Sequence, residues 1–451
     1  MKQPNVREEA LNIILRVDKD GGFSHLLVSN VIQKNSFDTR DANLLTELVY
    51  GTIEEKLTLD YYIRPFVKRP GKVEDWVMSL LRMSVFQYVY LDKIPMYAII
   101  NEAVTVAKSR GHKGISSFVN GVLRTMERKG LPDTASIADD IERLSVQTST
   151  PKWLVERWTE NYGYERTRRI CEANKEKKPM TIRVNPQQVS TATMKEWLTD
   201  EGFLVESSSV IPNALQILEG NILKTDYVNL GYVTIQDISS MLAAQMLEVK
   251  PEMAVLDTCS APGGKTGLLG ENMHNTGVVH AYDLHVNKIR LVKEQANRLG
   301  LDNIQAKAMD ARKLQEVYSA ERFDRILVDA PCSGFGVIRS KPDIKYAKTK
   351  QQMARLPEIQ LDILSHVAVL LHKGGKLVYC TCTMETAENE EVVKKFLDKH
   401  PEYTVDTTFL KEIEKFREQD VNITPFGLQI FPQSLQSDGF FISRLIRQSA
   451  E

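Results

Sequence analysis

Along its first 130 residues the chain places apolar side chains at helical spacing. Val6, Ala10, Ile13, Ile14 and Val17 set the pattern, which recurs over 38–67, 74–91, 99–107 and 115–126. Such spacing draws one stripe along an α-helix. Gly and Pro punctuate it at Arg69-Pro70-Gly71, Ile94-Pro95 and Arg110-Gly111, where helices stop. No alternation of period two interrupts it, so the pattern predicts an all-α domain over 1–130. Residues 131–150, with Pro132, Asp133, Asp139 and Asp140, read as a linker. The block 151–235 mixes periods. Two helical stretches precede an alternating strand, Met180 to Val184. A helix over 193–201 and short strands near Phe203 and Ala214 follow. A small α+β domain is expected there.

From Gly231 onward strand and helix alternate regularly. The expected strands are 253–258, 278–282, 304–308, 323–328 and 376–381, with helices over 286–299, 351–371 and 388–399 between them. The segments 428–431 and 440–443 read as a closing antiparallel pair. Five βα units and a final hairpin predict a seven-stranded, doubly wound α/β domain over 236–451. Such a sheet binds ligands beyond the carboxyl ends of its strands. Asp283, Asp310, Asp329 and Cys382 all fall at or just past those ends.

Composition narrows the class. The 42% apolar and 26% charged residues over 451 positions are those of a folded multidomain protein. No apolar run is long enough to span a bilayer, and the N-terminal segment lacks the apolar core of a signal peptide. A cytoplasmic monomer is expected. Five cysteines make no disulfide framework, and no Cys/His cluster has metal spacing, so no metal is expected. Residues 1–130 carry 19 Lys and Arg against 15 Asp and Glu. That mildly basic front suits an anionic partner. Lys175, Lys177, Lys178 and Arg183 are further candidates for phosphate contact.

The most informative stretch is Leu256-Asp-Thr-Cys-Ser-Ala-Pro-Gly-Gly-Lys-Thr266. It runs from a strand through a glycine turn into a helix. Cys259, Ser260, Ala261, Pro262, Gly263, Gly264 and Lys265 form the turn. The run is neither G-x-G-x-x-G nor a Walker loop, so neither a pyrophosphate nor a triphosphate is expected. S-adenosylmethionine, a nucleoside bearing an amino acid on a sulfonium, fits that description. Asp283, some 20 residues on, is placed to accept from ribose hydroxyls, and Asp310 from the adenine amino group. Helix capping is the plain alternative for both.

Asp329-Ala-Pro-Cys-Ser-Gly334 adds a thiol, Cys332, where enzymes that methylate exocyclic amines carry an aromatic ring. A thiol suits an aromatic carbon as target. Carbon 5 of a pyrimidine is too electron-poor to attack a sulfonium methyl unaided. A thiolate adding at carbon 6 makes it enamine-like, which is covalent catalysis. A second thiol, Cys382, follows the next strand in Tyr379-Cys-Thr-Cys-Thr383. Both are expected to flank one base. Cys380 is expected to point away, and Cys171 to be helix core. The residues alone do not rank Cys332 against Cys382.

These motifs, with Asn101-Glu-Ala-Val104 and Phe118-Val-Asn-Gly-Val-Leu-Arg124 in the front half, resemble the RsmB (Fmu/Sun) family of ribosomal RNA cytosine-5 methyltransferases, within the wider Nop2/Sun group. The resemblance covers nearly the whole chain: a NusB-like front, a small middle domain and a Rossmann-like class I methyltransferase domain. It implies 16S ribosomal RNA as partner and S-adenosyl-L-methionine as cofactor, bound by Cys259 to Lys265, Asp283, Asp310 and Asp329. It further implies Cys382 as nucleophile, Cys332 as the thiol assisting release, and Asp329 with Lys265 holding cofactor and base. The segment Gly336 to Lys345 would supply RNA contacts. A transfer-RNA cytosine-5 methyltransferase of the same group and a non-catalytic NusB-like RNA-binding factor are the rival readings.

Overall fold

The structure, a computed structural model, describes residues 5–20, 24–348 and 350–449. The first four residues of the segment read for a leader lie outside them. The chain divides into two compact units, residues 1–175 with 338–347, and residues 176–337 with 348–451.

The first unit is helical from Val6–Asp20 to Tyr164–Ala173. Some of its helices start where polar side chains replace the missing intrahelical partners. The Asp38 carboxylate accepts from the Asp41 amide at 2.8 Å to open Thr39–Glu54. The stripe seen in the sequence is the core: Ala10, Ile13, Ile14, Leu45, Leu48, Leu80, Val119 and Leu123 are buried together. Helices Thr39–Glu54 and Asp75–Tyr90 touch at Gly51, where any Cβ would overlap the Phe86 ring. Residues 131–150, expected as a linker, contain the helix Asp140–Gln147. The acidic residues that suggested solvent are its cap and first turn, Asp139 accepting from the Glu142 amide at 2.6 Å.

Residues 338–347 complete this unit. Ser24 Oγ donates to buried Asp343 at 2.8 Å. Lys345 Nζ donates to the Glu54 carbonyl at 2.8 Å, and Tyr346 hydrogen-bonds Ser149. The expectation that Gly336 to Lys345 meets RNA is therefore corrected at its polar end: Asp343 and Lys345 are interior.

The second unit holds two sheets. The smaller is antiparallel, in the order β2 (Leu204–Ser207), β3 (Ala214–Glu219), β1 (Met180–Val184), β4 (Val233–Ile235). Ile182, Val184, Leu215 and Ile217 pack on Met194 and Leu198 of the helix Thr191–Asp200. The opposite face is polar yet buried, through Thr181, Arg183, Gln216 and Thr234.

The larger sheet has a parallel core, β7 (Ile304–Ala308), β6 (Val278–Asp283), β5 (Ala254–Asp257), β8 (Phe323–Asp329), β9 (Leu371–Thr381). Antiparallel β13 (Phe440–Arg447) and β12 (Gly427–Ile430) continue it, giving the seven expected strands. Two three-residue strands bring the total to nine: β11 (Asn422–Thr424) beside β12, and β10 (Tyr403–Val405) beside β13. Apolar clusters cover both faces, one built on Leu268, Leu269 and Ile442, the other on Leu364, Val367 and Phe396. Strand order reverses at β5, whose neighbours are β6 on one side and β8 on the other. The loop after β5 therefore opens at the switch point, where a crevice forms.

Candidate active site

The turn after β5 is built to bring backbone close to a ligand. Gly263 sits at φ +107°, and a Cβ there would come within 3.1 Å of Val292 Cα. Only glycine accepts both constraints without strain. Ser260 is pulled toward β6, its amide and hydroxyl donating to the Tyr282 carbonyl at 2.8 and 2.9 Å. Gly264 begins the helix Gly264–Asn272, so its first-turn amides face the crevice end. Pro262 is exposed, Ala261 and Cys259 half-buried. Burial pushes the Cys259 thiol well up, which suits a wall and not a nucleophile.

Beneath the turn lies Asp257, 1% exposed. Thr266 Oγ1 donates to its Oδ2 at 2.7 Å. Burial raises this carboxyl to about 7. Asp257 stands in the motif but was not singled out from the sequence.

Asp283 closes β6, buried, with Oδ1 accepting from the His285 amide at 3.1 Å. The cap of the next helix is His285, not Asp283. Asp310 does act as a cap, accepting from the Arg312 amide at 3.0 Å, and is also gripped by the Arg312 guanidinium at 2.9 and 2.6 Å. Those hydrogen bonds hold its carboxyl below the usual range.

The two thiols meet. Parallel β8 and β9 pair Asp329 with Cys380, so the loops beyond leave the sheet at one level. Cys332 Sγ and Cys382 Sγ are 3.3 Å apart. Lys265 Nζ, from the glycine turn, donates to Asp329 Oδ2 at 2.7 Å. Burial opposes the Lys265 charge, but Asp329 and the sulfurs of Cys380 and Cys382 outweigh it, and its pKa is raised. Cys332 is pushed well above the usual thiol range, first by the Cys382 hydrogen bond and burial, then by Cys382, Glu388 and Asp329.

Cys380 does not point away. Residues two apart share a strand face, and Cys380 and Cys382 pack on the same apolar cluster. Its thiol lies 3.6 Å from Asp329 Oδ1. Cys171 is buried among helices, as expected.

A buried polar network fixes both thiol loops. Glu388 Oε2 accepts from the Ser333 amide at 2.9 Å and from Gln360 at 2.8 Å. Ser333 Oγ meets Thr383 Oγ1 at 2.7 Å, and Asn389 donates to the Thr383 carbonyl at 3.0 Å. Glu388 and Asn389 escaped the sequence reading because an acidic helix start looks like any other.

Of the four basic candidates, three are already engaged within the protein. Arg183 is fully buried. Lys175 is paired with Glu55 at 2.9 Å, and Lys178 with Asp237 and Asp438 at 2.5 and 2.6 Å. Lys177 is exposed. Free basic character is elsewhere, on the helical unit. There Arg64, Lys68, Arg69 and Lys72 are exposed without an acidic residue among 64–72. Lys68, Arg69 and Lys72, with Phe66 and Phe118, line an open groove of about 670 Å³. Among the described residues no cluster of metal-ligating side chains forms, and no helix is long and apolar enough to cross a membrane.

Comparison with known proteins agrees with this architecture. Residues 244–446 match the family described as 16S rRNA methyltransferase RsmB/F, residues 4–128 the NusB family, and residues 150–222 the ferredoxin-like domain of RsmF/B-like methyltransferases. A Bacillus subtilis (strain 168) protein named probable ribosomal RNA small subunit methyltransferase B is 46% identical over 98% of each chain. One of the same name from Synechocystis sp. is 30% identical over 98% of this chain and 99% of its own. A crystal structure of a methyltransferase homolog protein from Pyrococcus horikoshii is 27% identical, with a TM-score of 0.60 over 69% of this chain and 100% of that one. The crystal structure of PH0851, 24% identical, shares the fold over 99% of both chains at a TM-score of 0.80. The chain belongs to the RsmB/F family of 16S rRNA methyltransferases.

Proposed function

We propose that this protein methylates carbon 5 of a cytosine in 16S ribosomal RNA, using S-adenosyl-L-methionine and a transient bond between Cys382 and the base. The observation that carries the reading is the 3.3 Å approach of two thiols at adjacent strand ends, beside the Lys265–Asp329 pair. The donor supplies a methyl group on a sulfonium. The turn Cys259 to Lys265 offers a close backbone and helix amides to its amino acid part, and Asp283 and Asp310 carboxylates for its nucleoside, the latter shared with Arg312. Domains over 1–130 and 151–235 engage the RNA, and 236–451 carries the chemistry.

Electrostatics support assigning the two thiols different roles. The Lys265 ammonium, whose pKa the Cys382 sulfur helps to raise, lies close enough to act on Cys382. Cys332 is pushed up first by its hydrogen bond to Cys382 and by burial, and further by Cys382, Glu388 and Asp329, which keeps it protonated. The Cys382 thiolate adds to carbon 6 of a base turned out of its stem. The ring electrons move to carbon 5, which takes the methyl group. A base then removes the carbon 5 proton, and the carbon–sulfur bond breaks, returning Cys382. Cys332, 3.3 Å from the departing sulfur, assists that release.

The test is incubation of single variants with substrate RNA, followed by denaturing electrophoresis. Cys382→Ala is expected to abolish methylation and form no adduct. Cys332→Ala is expected to accumulate a covalent protein–RNA species. The opposite pattern reverses the two roles, and methylation of RNA by the double variant ends the proposal.

A further inference from the structure

An ion pair lies buried in the second unit, and the chemistry above has no use for it. Arg183, on β1 of the small sheet, and Glu271, in the helix Gly264–Asn272, are both 0% exposed at the side chain and 2.9 Å apart. The same guanidinium donates to the Gly264 carbonyl at 2.9 Å and to the Gln236 amide oxygen. Gln236 in turn lies 3.6 Å from where a Gly264 Cβ would stand. One planar fork therefore grips both the first residue and the last turn of the helix that leaves the glycine turn. Arg298, in the helix after β6, makes the reciprocal connection, donating to the Val233 carbonyl at 3.0 Å and Thr234 Oγ1 at 2.9 Å on β4. The polar inner face of the small sheet is thus fastened to the two helices that follow β5 and β6.

A fully buried ion pair is poor evidence of stability, because both charges are stripped of water. What this one supplies is a single geometry, since one planar guanidinium is held at three points, Glu271, the Gly264 carbonyl and Gln236. Here the fixed object is the helix whose first turn carries Gly264 and Lys265. A shift of that turn would move its helix amides, while Lys265 stays tied to Asp329 by their own ion pair.

We propose that Arg183 is a positioning residue for the methyl donor: its grip on Gly264 and Glu271 sets the affinity of the glycine turn for S-adenosylmethionine, so the small domain governs cofactor binding without touching the cofactor. The proposal rests on the reading that the donor binds at this turn. It also gives Arg183 a role opposite to phosphate contact, since no face of it reaches solvent.

The experiment is titration calorimetry of the full chain with S-adenosylhomocysteine, paired with steady-state kinetics. The double variant Arg183→Met/Glu271→Leu removes both charges and leaves neither orphaned. It is expected to melt in one transition, bind about 10-fold more weakly and raise KM for S-adenosylmethionine in parallel, with kcat within about threefold of wild type, a uniform loss of ground-state and transition-state binding. Arg183→Lys keeps a cation for Glu271 but loses the fork, retains the fold, and should weaken binding about fivefold. A merely structural role predicts a lower Tm and fewer active molecules at unchanged Kd. Wild-type Kd in either folded variant overturns the proposal. Failure of the wild-type chain to bind S-adenosylhomocysteine overturns the cofactor reading itself, and this proposal with it.

Discussion

Lys265 and Lys345 are both withdrawn from water, one in each unit, and their charges fare in opposite ways. Lys265 keeps 13% of its side chain exposed and its pKa is raised. Lys345 is 3% exposed, and burial lowers it to about 8, against the pull of Glu54 and Glu55. The distance to a carboxylate separates them. Lys265 has Asp329 at 2.7 Å, whereas the hydrogen bond of Lys345 goes to a carbonyl, that of Glu54. Desolvation of an ammonium is offset by a counter-ion in direct contact and much less by one further off. A lysine held charged beside thiols can favour a thiolate. A lysine lowered toward neutrality serves to fix residues 338–347 in the helical unit.

Breaking the first half of that contrast should have the largest effect. Lys265→Met leaves Asp329 without its partner and Cys382 without its nearby cation. Methyl transfer should fall about 10²–10³-fold, the size seen when one preorganised charge or donor is lost, with the fold retained by circular dichroism. Lys265→Arg keeps charge but changes geometry and should fall between. Activity within tenfold of wild type in Lys265→Met would mean that the ammonium does not govern the thiol. Asp257 sharpens the rule from the acidic side, since its donor is a hydroxyl and not a cation. Its folded value is about 7, above the unfolded value near 4, so the folded state binds the extra proton. The stability it lends is complete below about pH 4 and is lost as pH rises to 7. Asp257→Asn should flatten that decline by up to a few kcal/mol in denaturant melts between pH 4.5 and 7.5, and unchanged slopes would exclude Asp257 as the titrating group.

The same distinction governs what could be read from the chain. Features set by neighbours in sequence were legible: apolar runs ending in Asp283 and Asp329, the glycine turn, and two thiols after adjacent strands. The three-residue strands Tyr403–Val405 and Asn422–Thr424 were not, because a period of two cannot show itself over so few positions. Asp140–Gln147 was missed because caps and linkers draw on the same residues. Charges with distant partners misled most. Arg183 meets Glu271 across 88 positions and Lys345 meets Glu54 across 291, so both looked like solvent-facing cations. Cys380 was a misreading of period, not a hidden feature, since positions 380 and 382 share a face.

The smallest expected effect tests the second half of the contrast. The folded value of Lys345, about 8, lies below its usual 10.5. Between those values the unfolded chain binds more protons than the folded one, so stability rises with pH across the window, and the full cost of the buried group is felt below pH 8. Burial pushes Tyr346 and Tyr90 far up and Cys171 to about 12, so these neighbours stay protonated in the folded state. Their ionisation when unfolded is common to wild type and variant and cancels in the difference. Urea melts of wild type and Lys345→Met at pH 8, 9 and 10 should therefore diverge, wild type gaining about 1–3 kcal/mol relative to the variant over that range. Methylation at pH 7.5 should change little, because Lys345 packs within the helical unit. Parallel stability curves would show that Lys345 keeps its proton throughout, and that a carboxylate need not be in contact to hold a buried ammonium charged.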